Sequence, residues 1–338
     1  MLMVRSRMRW LSTAAVGLLC LSTALVGVSA SAQAATKAKK KVFHVAYLSY
    51  AVANSYDAPM LAAAQAVASA DGVKVTVFDA NNSPATQVTQ LQDIISAGGY
   101  QGVLLQPIYG PAEIKYVKQV IAHRIKVVNI DQILGTKYTT DQIQVKGLAG
   151  NVVFFPSKIG TQLATLVIKA CGSTNPCKIG LVHNFKGYEP DVAISAALTA
   201  HLAHHPNIQI VDQVDGLYQV GASTTQVQDM LQANPGLNFI VGSDQNCEGA
   251  QIALGANPTT KLICYGASAA SVGGLKSGLW YADVAQMPAT EGQLGMEMLV
   301  RAMRTGRPQG SKNPVAGLPN GGVITKANLK TFTPEWPG

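Results

Sequence analysis

The sequence predicts an α/β protein with two Rossmann-like lobes, each containing a parallel sheet, joined by a hinge. Short apolar segments typical of buried strands alternate along the chain with segments of helical period. Such alternation predicts parallel strands covered by helices. The pattern is interrupted at a short glycine-containing stretch, 148–151, and then starts again. Because the strands outnumber those of one ordinary sheet, two lobes are favoured over a single large doubly wound sheet.

The first half of the chain predicts four strands with helices between them. Ser83 is expected to cap the second helix, with Pro84 at its first position, where a helix tolerates proline best. The fourth strand ends in Asp131-Gln132. The predicted strands are 42–49, 73–78, 102–105 and 126–131, and the predicted helices begin near 58, 84 and 111.

The second half repeats this pattern and ends in a segment rich in glycine and proline. Predicted strands are 178–183, 208–214, 239–242, 261–265 and 281–285, with helices at 156–170, 190–203, 223–233, 248–254, 269–277 and 289–304 and mostly loop over 306–338. Asn151 and Gln286–Pro288 are the expected crossings between lobes, and hinges need only a few such residues. The expected domains are a signal peptide at 1–34, a basic linker at 35–41, a first lobe at 42–151 completed by 287–338, and a second lobe at 152–286.

The first residues have the pattern of a secretory signal peptide. Three arginines precede an apolar run, 10–28, and Ala32-Gln33-Ala34 supplies an A-x-A cleavage site. Two alternatives are an uncleaved membrane anchor and a lipid anchor at Cys20. Serines and threonines dilute the apolar run, and no small residue directly precedes Cys20. We therefore expect an exported protein, periplasmic or at the cell surface.

Composition limits the possible partners. Hydrophobic residues make up 48% and charged residues 13% of the 338 residues, which fits a globular protein with sizeable cores. The formal charge of +8 comes partly from the leader and from lysines at 37–41. Because no basic stripe with interleaved aromatics follows, we expect no nucleic-acid partner.

Four cysteines follow the leader, an even number that in an exported protein predicts disulfides. Cys171 and Cys177 bracket a turn-rich loop, and Cys247 follows the end of one predicted strand while Cys264 lies inside the next, so both pairs are plausible. The alternative, a zinc site, would need tighter spacing. His201, His204 and His205 could place two imidazoles on one helix face, but Pro206 ends that helix. We therefore expect neither a metal nor a cofactor.

Polar and aromatic residues follow several predicted strands. Ligands of open α/β sheets lie outside the carboxyl ends of the strands, so Asp131 and Gln132 are candidate ligand contacts, unless Asp131 merely caps a turn. A buried hydroxyl-rich ligand needs amides and acids to replace its bonds to water, and aromatic faces to cover its C–H surface. The aromatics in predicted loops, any of which could instead be ordinary packing, are Tyr56, Phe185, Tyr188 and Tyr218.

Four motifs carry a family resemblance: Val77–Ala85, Leu104–Pro107, Val128–Asp131 and Ala285–Pro288. With these, residues 42 to about 308 resemble the type I periplasmic binding proteins of ABC transporters, in particular the ribose- and galactose-type sugar-binding branch. The resemblance implies the type I periplasmic binding protein fold and ligand contacts at Asn54, Tyr56, Gln106, Asp131 and Gln286. It also implies a contact at Asp244 or Gln245, where the order of acid and amide differs from the family's.

The chain departs from that branch in its arginines. Sugar binders of this type usually have arginine where this chain has Gln132, and another near the helix that follows Tyr188. Arginine's planar fork grips adjacent oxygens, so its absence indicates a different ligand or a different grip. An anion is least favoured, because only Lys186 supplies a nearby cation.

The resemblance implies a monomeric solute-binding protein that closes on a neutral sugar or polyol-like molecule and delivers it to an ABC permease. A sensory protein that presents its closed form to a receptor or kinase fits the same pattern, as does a binding protein for a non-sugar ligand. We expect no enzyme activity. Residues 266–270 match the nucleophile-elbow pattern only in part, and no phosphate loop or dinucleotide fingerprint is present.

Overall fold

Two six-stranded sheets organise the part of the chain that the computed structural model describes, residues 42–256 and 258–338. The predicted signal peptide, 1–34, and basic linker, 35–41, lie outside the described residues. None of the helices within the described residues is long and apolar enough to cross a membrane.

Both sheets are almost entirely parallel, as the sequence predicts. The strands of the first sheet are β1 (His44–Ser49), β2 (Lys74–Asp79), β3 (Gly102–Leu105), β4 (Lys126–Asp131), β5 (Gly150–Val153) and β11 (Ser311–Lys312). Those of the second are β6 (Cys177–His183), β7 (Ile208–Asp215), β8 (Phe239–Ser243), β9 (Lys261–Gly266), β10 (Trp280–Ala285) and β12 (Val323–Ile324). Only β12 runs antiparallel to its neighbour, β10.

The two sheets have the same topology. The strand order is β11-β5-β4-β3-β1-β2 in the first and β12-β10-β9-β8-β6-β7 in the second. In each lobe, the chain runs from the first strand to the neighbouring edge strand and then continues on the other side of the first strand. This reversal leaves a crevice at the carboxyl ends of β1 and β3 in the first sheet, and of β6 and β8 in the second. Polar side chains that follow these strands are therefore brought together.

Helices cover both faces of each sheet. The helices are α1 (Asp57–Ala70), α2 (Pro84–Ala97), α3 (Gly110–Ala122), α4 (Pro156–Cys171), α5 (Glu189–Leu202), α6 (Val220–Ala233), α7 (Asp244–Leu254), α8 (Ala269–Ser277) and α9 (Pro288–Thr305). The expected cap at Ser83 is confirmed, because its Oγ accepts a hydrogen bond from Thr86 N at 3.2 Å. Most helices bury a single apolar stripe against the sheet.

Four apolar clusters form the cores, one on each face of each sheet. In the first lobe, α1 and α9 pack on one face around Leu104 and Ile130, and α2 and α3 pack on the other around Leu105. In the second lobe, α4 and α5 cover one face, and α6, α7 and α8 cover the other. Each lobe thus has its own core, which leaves the strand ends free to form a site.

The chain passes from the second lobe to the first at 286–288, an expected crossing between β10 and α9, but other lobe boundaries differ from the sequence expectation. Val152 and Val153, expected in the second lobe, belong to β5, which pairs with β4 and extends the first sheet. The segment 287–338, expected to complete the first lobe, is divided. Its helix α9 packs on the first sheet, whereas β12 pairs with β10 and Phe332 packs in the second core.

Both plausible cysteine pairings are confirmed. Cys171 is bonded to Cys177 across the end of α4 and the start of β6, and Cys247 of α7 is bonded to Cys264 of β9. All four side chains are buried. The second disulfide therefore anchors α7, whose first turn contributes to the site described next.

Candidate functional site

A cavity of about 350 Å³ lies between the carboxyl ends of the two sheets. Both lobes contribute to its wall, mainly through residues that directly follow strands. The lining residues are Tyr50, Asn54, Tyr56, Asp57, Asn82, Gln106, Asp131, Gln132, Phe154, Phe185, Pro190, Ile194, Leu217, Tyr218, Gln219, Ser243, Gln245, Tyr265, Gln286 and Trp336. A concave site of this size is typical of small-molecule binding, and half of its lining residues are amides, acids or serine, which suits a polar ligand.

The polar centre of the first-lobe wall is one amide shared by two carboxylates. Gln106 Nε2 donates to Asp57 Oδ1 at 2.6 Å and to Asp131 Oδ2 at 3.1 Å. Gln106 Oε1 accepts from Tyr50 N at 3.0 Å, which fixes the orientation of the amide. Tyr56 Oη donates to Asp131 Oδ1 at 3.4 Å. The two acids are therefore held in place by neutral donors.

Strand order explains how these side chains meet. Gln106 directly follows β3, Asp131 is the last residue of β4, and β3 and β4 are neighbours in the sheet. Asp131 has a φ of 64°, a left-handed conformation that aspartate adopts more readily than most residues. Asp57 begins α1, where a negative side chain is favoured by the helix dipole.

Burial shifts the pKa of both acids upward. Loss of water is the main cause that raises the pKa of Asp57 to about 8, and the charge of Asp131 adds to it. Burial likewise raises the pKa of Asp131 to about 6, against the hydrogen bonds from Gln106, Gln132 and Tyr56, which lower it. The two acids therefore retain a proton near neutral pH. Hydrogen-bond donors of a ligand would favour the ionised carboxylates and so promote loss of that proton.

The cavity wall contains acids but no cation. Asp57 and Asp131 are the acids among the described residues that line it, and none of these residues is lysine, arginine or histidine. Lys186, the cation that the sequence places nearby, is exposed, and its Nζ donates to Gln213 O at 2.5 Å. Such a wall suits hydrogen-bond donors and disfavours anions.

The second-lobe wall is organised by Asn184, at the end of β6. Its Nδ2 donates to Tyr265 Oη at 2.6 Å and to Asp191 Oδ1 at 3.1 Å, and its Oδ1 accepts from Ser243 Oγ at 2.8 Å. Asn184 is fully buried, whereas Tyr265 and Ser243 line the cavity. These two cavity-lining side chains are thus positioned by a hydrogen-bonded network behind the wall.

Aromatic rings cover the sides of the cavity. Phe185 and Tyr218 lie with ring centroids 5.9 Å apart, and Tyr56 meets Trp336 edge to face at 5.3 Å. Aromatic faces of this kind can cover the C–H surface of a ring-shaped ligand.

Eight of the ten sequence-predicted ligand contacts line this cavity. Asn54 Oδ1 accepts from Tyr56 N at 2.8 Å and so orients the loop after β1. Gln132 Oε1 is buried and has no hydrogen-bond partner within the described residues. The eight are Asn54, Tyr56, Gln106, Asp131, Gln132, Tyr218, Gln245 and Gln286.

Asp244 is not among the lining residues; its neighbour Gln245 is. The Asp244 carboxylate is fully buried and accepts from Ser268 N at 2.6 Å. It faces Asp283, whose pKa is raised far above its ordinary value by burial and by the charge of Asp244. The first turn of α7 directs these two consecutive side chains differently, so of the pair the amide borders the cavity.

Tyr188 also lies outside this cavity. It borders a neighbouring cavity of about 400 Å³, together with Ile108 and Tyr109 of the first lobe. Its hydroxyl donates to Ile108 O at 2.9 Å, a hydrogen bond that joins the two lobes. The structure therefore places Tyr188 at a contact between the lobes and not at the polar centre.

Sequence reasoning missed several lining residues. The sequence around Asp57 is that of an ordinary helix start. Its position in the loop region after β1 nevertheless indicates that it could lie at the carboxyl ends of the strands, where ligands bind. The sequence predicts Phe185 as a candidate aromatic contact, but it does not single out Tyr50, Tyr265 or Gln219. Trp336 follows no strand, and no sequence signal connects it to the site.

Within the described residues, no group of three or more His, Cys, Asp or Glu side chains could hold a metal ion.

Comparison with solved structures shows the same fold at low sequence identity. A solute-binding protein of an ABC transporter from Burkholderia graminis, in complex with D-arabinose, is 20% identical with a TM-score of 0.74, over 87% of this chain and 98% of that one. One from Actinobacillus succinogenes with bound D-allose is 18% identical with a TM-score of 0.74, over 86% and 100%. One from Bacillus halodurans with bound myo-inositol is 16% identical with a TM-score of 0.74, over 88% and 98%.

These neighbours confirm the type I periplasmic binding protein fold that the resemblance implied. None of the curated protein sequences compared with the chain matches it. The sequence model of the periplasmic binding protein domain matches residues 45–308. That match covers most of both lobes. The chain therefore belongs to the periplasmic binding protein family.

Proposed function

We propose that the protein is an extracytoplasmic solute-binding protein of an ABC importer. It closes its two lobes on a neutral polar small molecule, sugar-like or polyol-like, and delivers it to a membrane permease. Family membership supports the binding role, and the predicted leader supports export. The proposal includes a monomeric protein without enzyme activity.

The observation that carries the ligand class is the pair of carboxylates around Gln106. Asp57 and Asp131 are paired acceptors at the polar end of a cavity whose described lining contains no cation. Neighbouring hydroxyl groups supply donors that match such acceptors, whereas an anion would meet like charge. Amides at Gln132, Gln245 and Gln286 replace the arginine grip.

The cavity also fits a ring-shaped polyol. Its volume of about 350 Å³ accommodates a single small ring, and its aromatic walls cover the apolar faces that hydroxylated rings present. Three of the structural neighbours have bound molecules of this chemical class, namely D-arabinose, D-allose and myo-inositol. The Tyr188–Ile108 hydrogen bond would close the site over such a ligand.

A thermal-shift screen tests this proposal. The chain from Ala35 onward is heated with pentoses, hexoses, inositols, linear polyols, amino acids and nucleosides. A ligand that binds only the folded state at a hundredfold over its Kd adds about 2.7 kcal/mol of stability. We expect a shift confined to sugars or polyols, with isothermal titration giving one site per chain. A shift confined to amino acids or nucleosides would overturn the ligand class, and no shift with any compound would contradict the proposal.

A further inference from the structure

The segment 333–338, here the tail segment, places a tryptophan in the wall of the cavity. Trp336 is only 5% exposed, yet it is one of the cavity-lining residues. It is separated in sequence from every strand-end loop that forms the rest of the wall. Its position therefore depends on contacts that the tail segment makes with the two lobes.

On the second-lobe side, three hydrogen bonds hold the tail segment. The first two residues of α8, Ala269 and Ala270, donate their N–H groups to Trp336 O at 2.9 Å and Pro337 O at 3.0 Å. These N–H groups belong to a helix start, where no intrahelical acceptor exists. The indole Nε1 donates to Gly266 O at 3.0 Å, which fixes the plane of the ring.

Gly266 creates the space for the indole. A Cβ at this position would lie 2.8 Å from Trp336 Cζ2 and 2.7 Å from Asp244 Cγ. The φ of Gly266 is also +141°, which strongly favours glycine. The end of β9 is thus shaped to receive Trp336.

On the first-lobe side, Glu335 binds the start of α9. Its carboxylate accepts from Thr290 N at 2.8 Å and from Thr290 Oγ1 at 2.5 Å. The Trp336 ring also contacts Tyr56, which in turn donates to Asp131. Two consecutive residues of the tail segment therefore bond to different lobes.

We propose that Trp336 is a ligand-binding residue, and that the tail segment must be docked on both α8 and α9 for the protein to bind its ligand tightly. This inference rests on the proposed function and adds a contact to it. The indole packs against the C–H face of a hydroxylated ring while Asp131, two contacts away through Tyr56, accepts from its hydroxyls. Glu335 is a positioning residue that holds the indole against the first lobe.

Tryptophan fluorescence tests the contact directly. The chain contains three tryptophans, Trp10 in the leader, Trp280 and Trp336. Trp280 is buried in the second core and bonds to Gln251, away from the cavity lining. In a chain that starts at Ala35 and carries Trp280→Phe, all tryptophan emission comes from Trp336. We expect D-arabinose, D-allose or myo-inositol to change this emission saturably, and to leave the emission of the Trp336→Phe chain unchanged.

Affinity measurements complete the test. We expect Trp336→Ala to weaken sugar binding at least about 10-fold, because a stacked aromatic contact and its buried area are lost. Trp336→Phe should weaken it less. Glu335→Ala should weaken binding while the fold, checked by circular dichroism, is retained. Its matched control is Glu297→Ala, because Glu297 is on α9, the helix that Glu335 binds, and its carboxylate accepts a hydrogen bond from Gln293 of that helix and not from the tail segment.

The outcomes separate the inference from the proposed function. If a sugar stabilises the protein but neither Trp336 emission nor the affinity of Trp336→Ala changes, the inference is overturned and the proposed function stands. If the chain from Ala35 binds none of the sugars, the proposed function fails, and the role of Trp336 fails with it. If Glu335→Ala and Glu297→Ala behave alike, the requirement for docking on α9 is wrong.

Discussion

Gln106 Nε2 lies 3.1 Å from Asp131 Oδ2 and donates a hydrogen bond to it, while the same nitrogen lies 2.6 Å from Asp57 Oδ1. One neutral amide thus keeps two buried acids together, with no arginine, lysine or histidine among the described residues that line the cavity. The acids remain poorly compensated, and this property determines how the site should respond to mutation and to pH.

Asp131→Asn should weaken ligand affinity by about 1–3 kcal/mol without unfolding the protein, because a buried acceptor for ligand hydroxyls is lost. Asparagine is the appropriate substitution, because it tolerates the positive φ at this position. Asp131→Ala should weaken affinity similarly and also lower stability. Isothermal titration with the best ligand of the screen measures the first effect, and urea unfolding measures the second. Unchanged affinity in both variants would remove Asp131 from the site.

Gln106→Leu should lower the free energy of unfolding by about 2 kcal/mol or more and abolish tight binding. The substitution leaves Asp57, Asp131 and the Tyr50 N–H without their partner. Gln92→Leu, on the exposed face of α2, is the control and should change neither quantity. Urea unfolding at pH 7 compares the two variants, and equal stabilities would contradict a structural role for the amide.

Stability of the ligand-free protein should fall as pH rises from about 4 to about 8. Below 3.8, Asp57 is protonated in the folded and unfolded chains alike; above it, the unfolded chain loses the proton while the folded chain keeps it until about pH 8. Glu113, with a pKa raised by burial to about 7, adds to the same slope. Urea unfolding at pH 4, 6 and 8 measures the trend. Asp57→Asn should flatten it between pH 6 and 8.

Ligand binding should release protons near pH 6. Hydroxyl donors stabilise the ionised form of Asp131, whose pKa in the free protein is about 6, so binding lowers that pKa and affinity rises from pH 5 to pH 7. Titration calorimetry in two buffers of different ionisation enthalpy counts the protons. Affinity that falls from pH 5 to pH 7 would mean that the ligand binds the protonated form of Asp131.

Gly266→Ala should destabilise the protein and expose Trp336. The added Cβ would lie within 2.8 Å of the indole on a backbone with φ +141°. Gly273→Ala is the matched control, because that glycine is inside α8 with nothing near its Cβ position and should be neutral or slightly stabilising. Acrylamide quenching of the Trp280→Phe chain reports exposure of Trp336. Equal quenching in the two alanine variants would refute the packing argument.

Replacing both Cys247 and Cys264 with alanine should cost about 3 kcal/mol of stability, because the bond closes a loop of 17 residues. The pair Cys171 and Cys177, with a separation of 6, should cost less. The first variant should also weaken ligand binding, since the bond anchors α7 and with it Gln245. Thermal unfolding of both variants measures which disulfide contributes more stability, and titration of each variant with ligand measures the effect on binding.

The alternation of strand and helix, the Ser83 cap and the residues that follow strands were all predictable from the sequence. They are local features, and the carboxyl ends of parallel strands always meet at one edge, so Asp131 could be predicted to line the cavity before the fold was known, and the family resemblance added Gln106 and Gln286. The even cysteine count similarly predicted the disulfides.

Three features depend on tertiary structure alone. Whether Asp244 or Gln245 borders the cavity depends on how α7 is rotated against Asp283. Tyr188 joins the lobes, because the second lobe brings it to Ile108 O. Trp336 reaches the cavity only because Gly266, α8 and α9 together form its docking site. Local sequence determined which residues end each strand. Contacts between segments distant in sequence decided which of these side chains meet, because such contacts form only when the two lobes pack together.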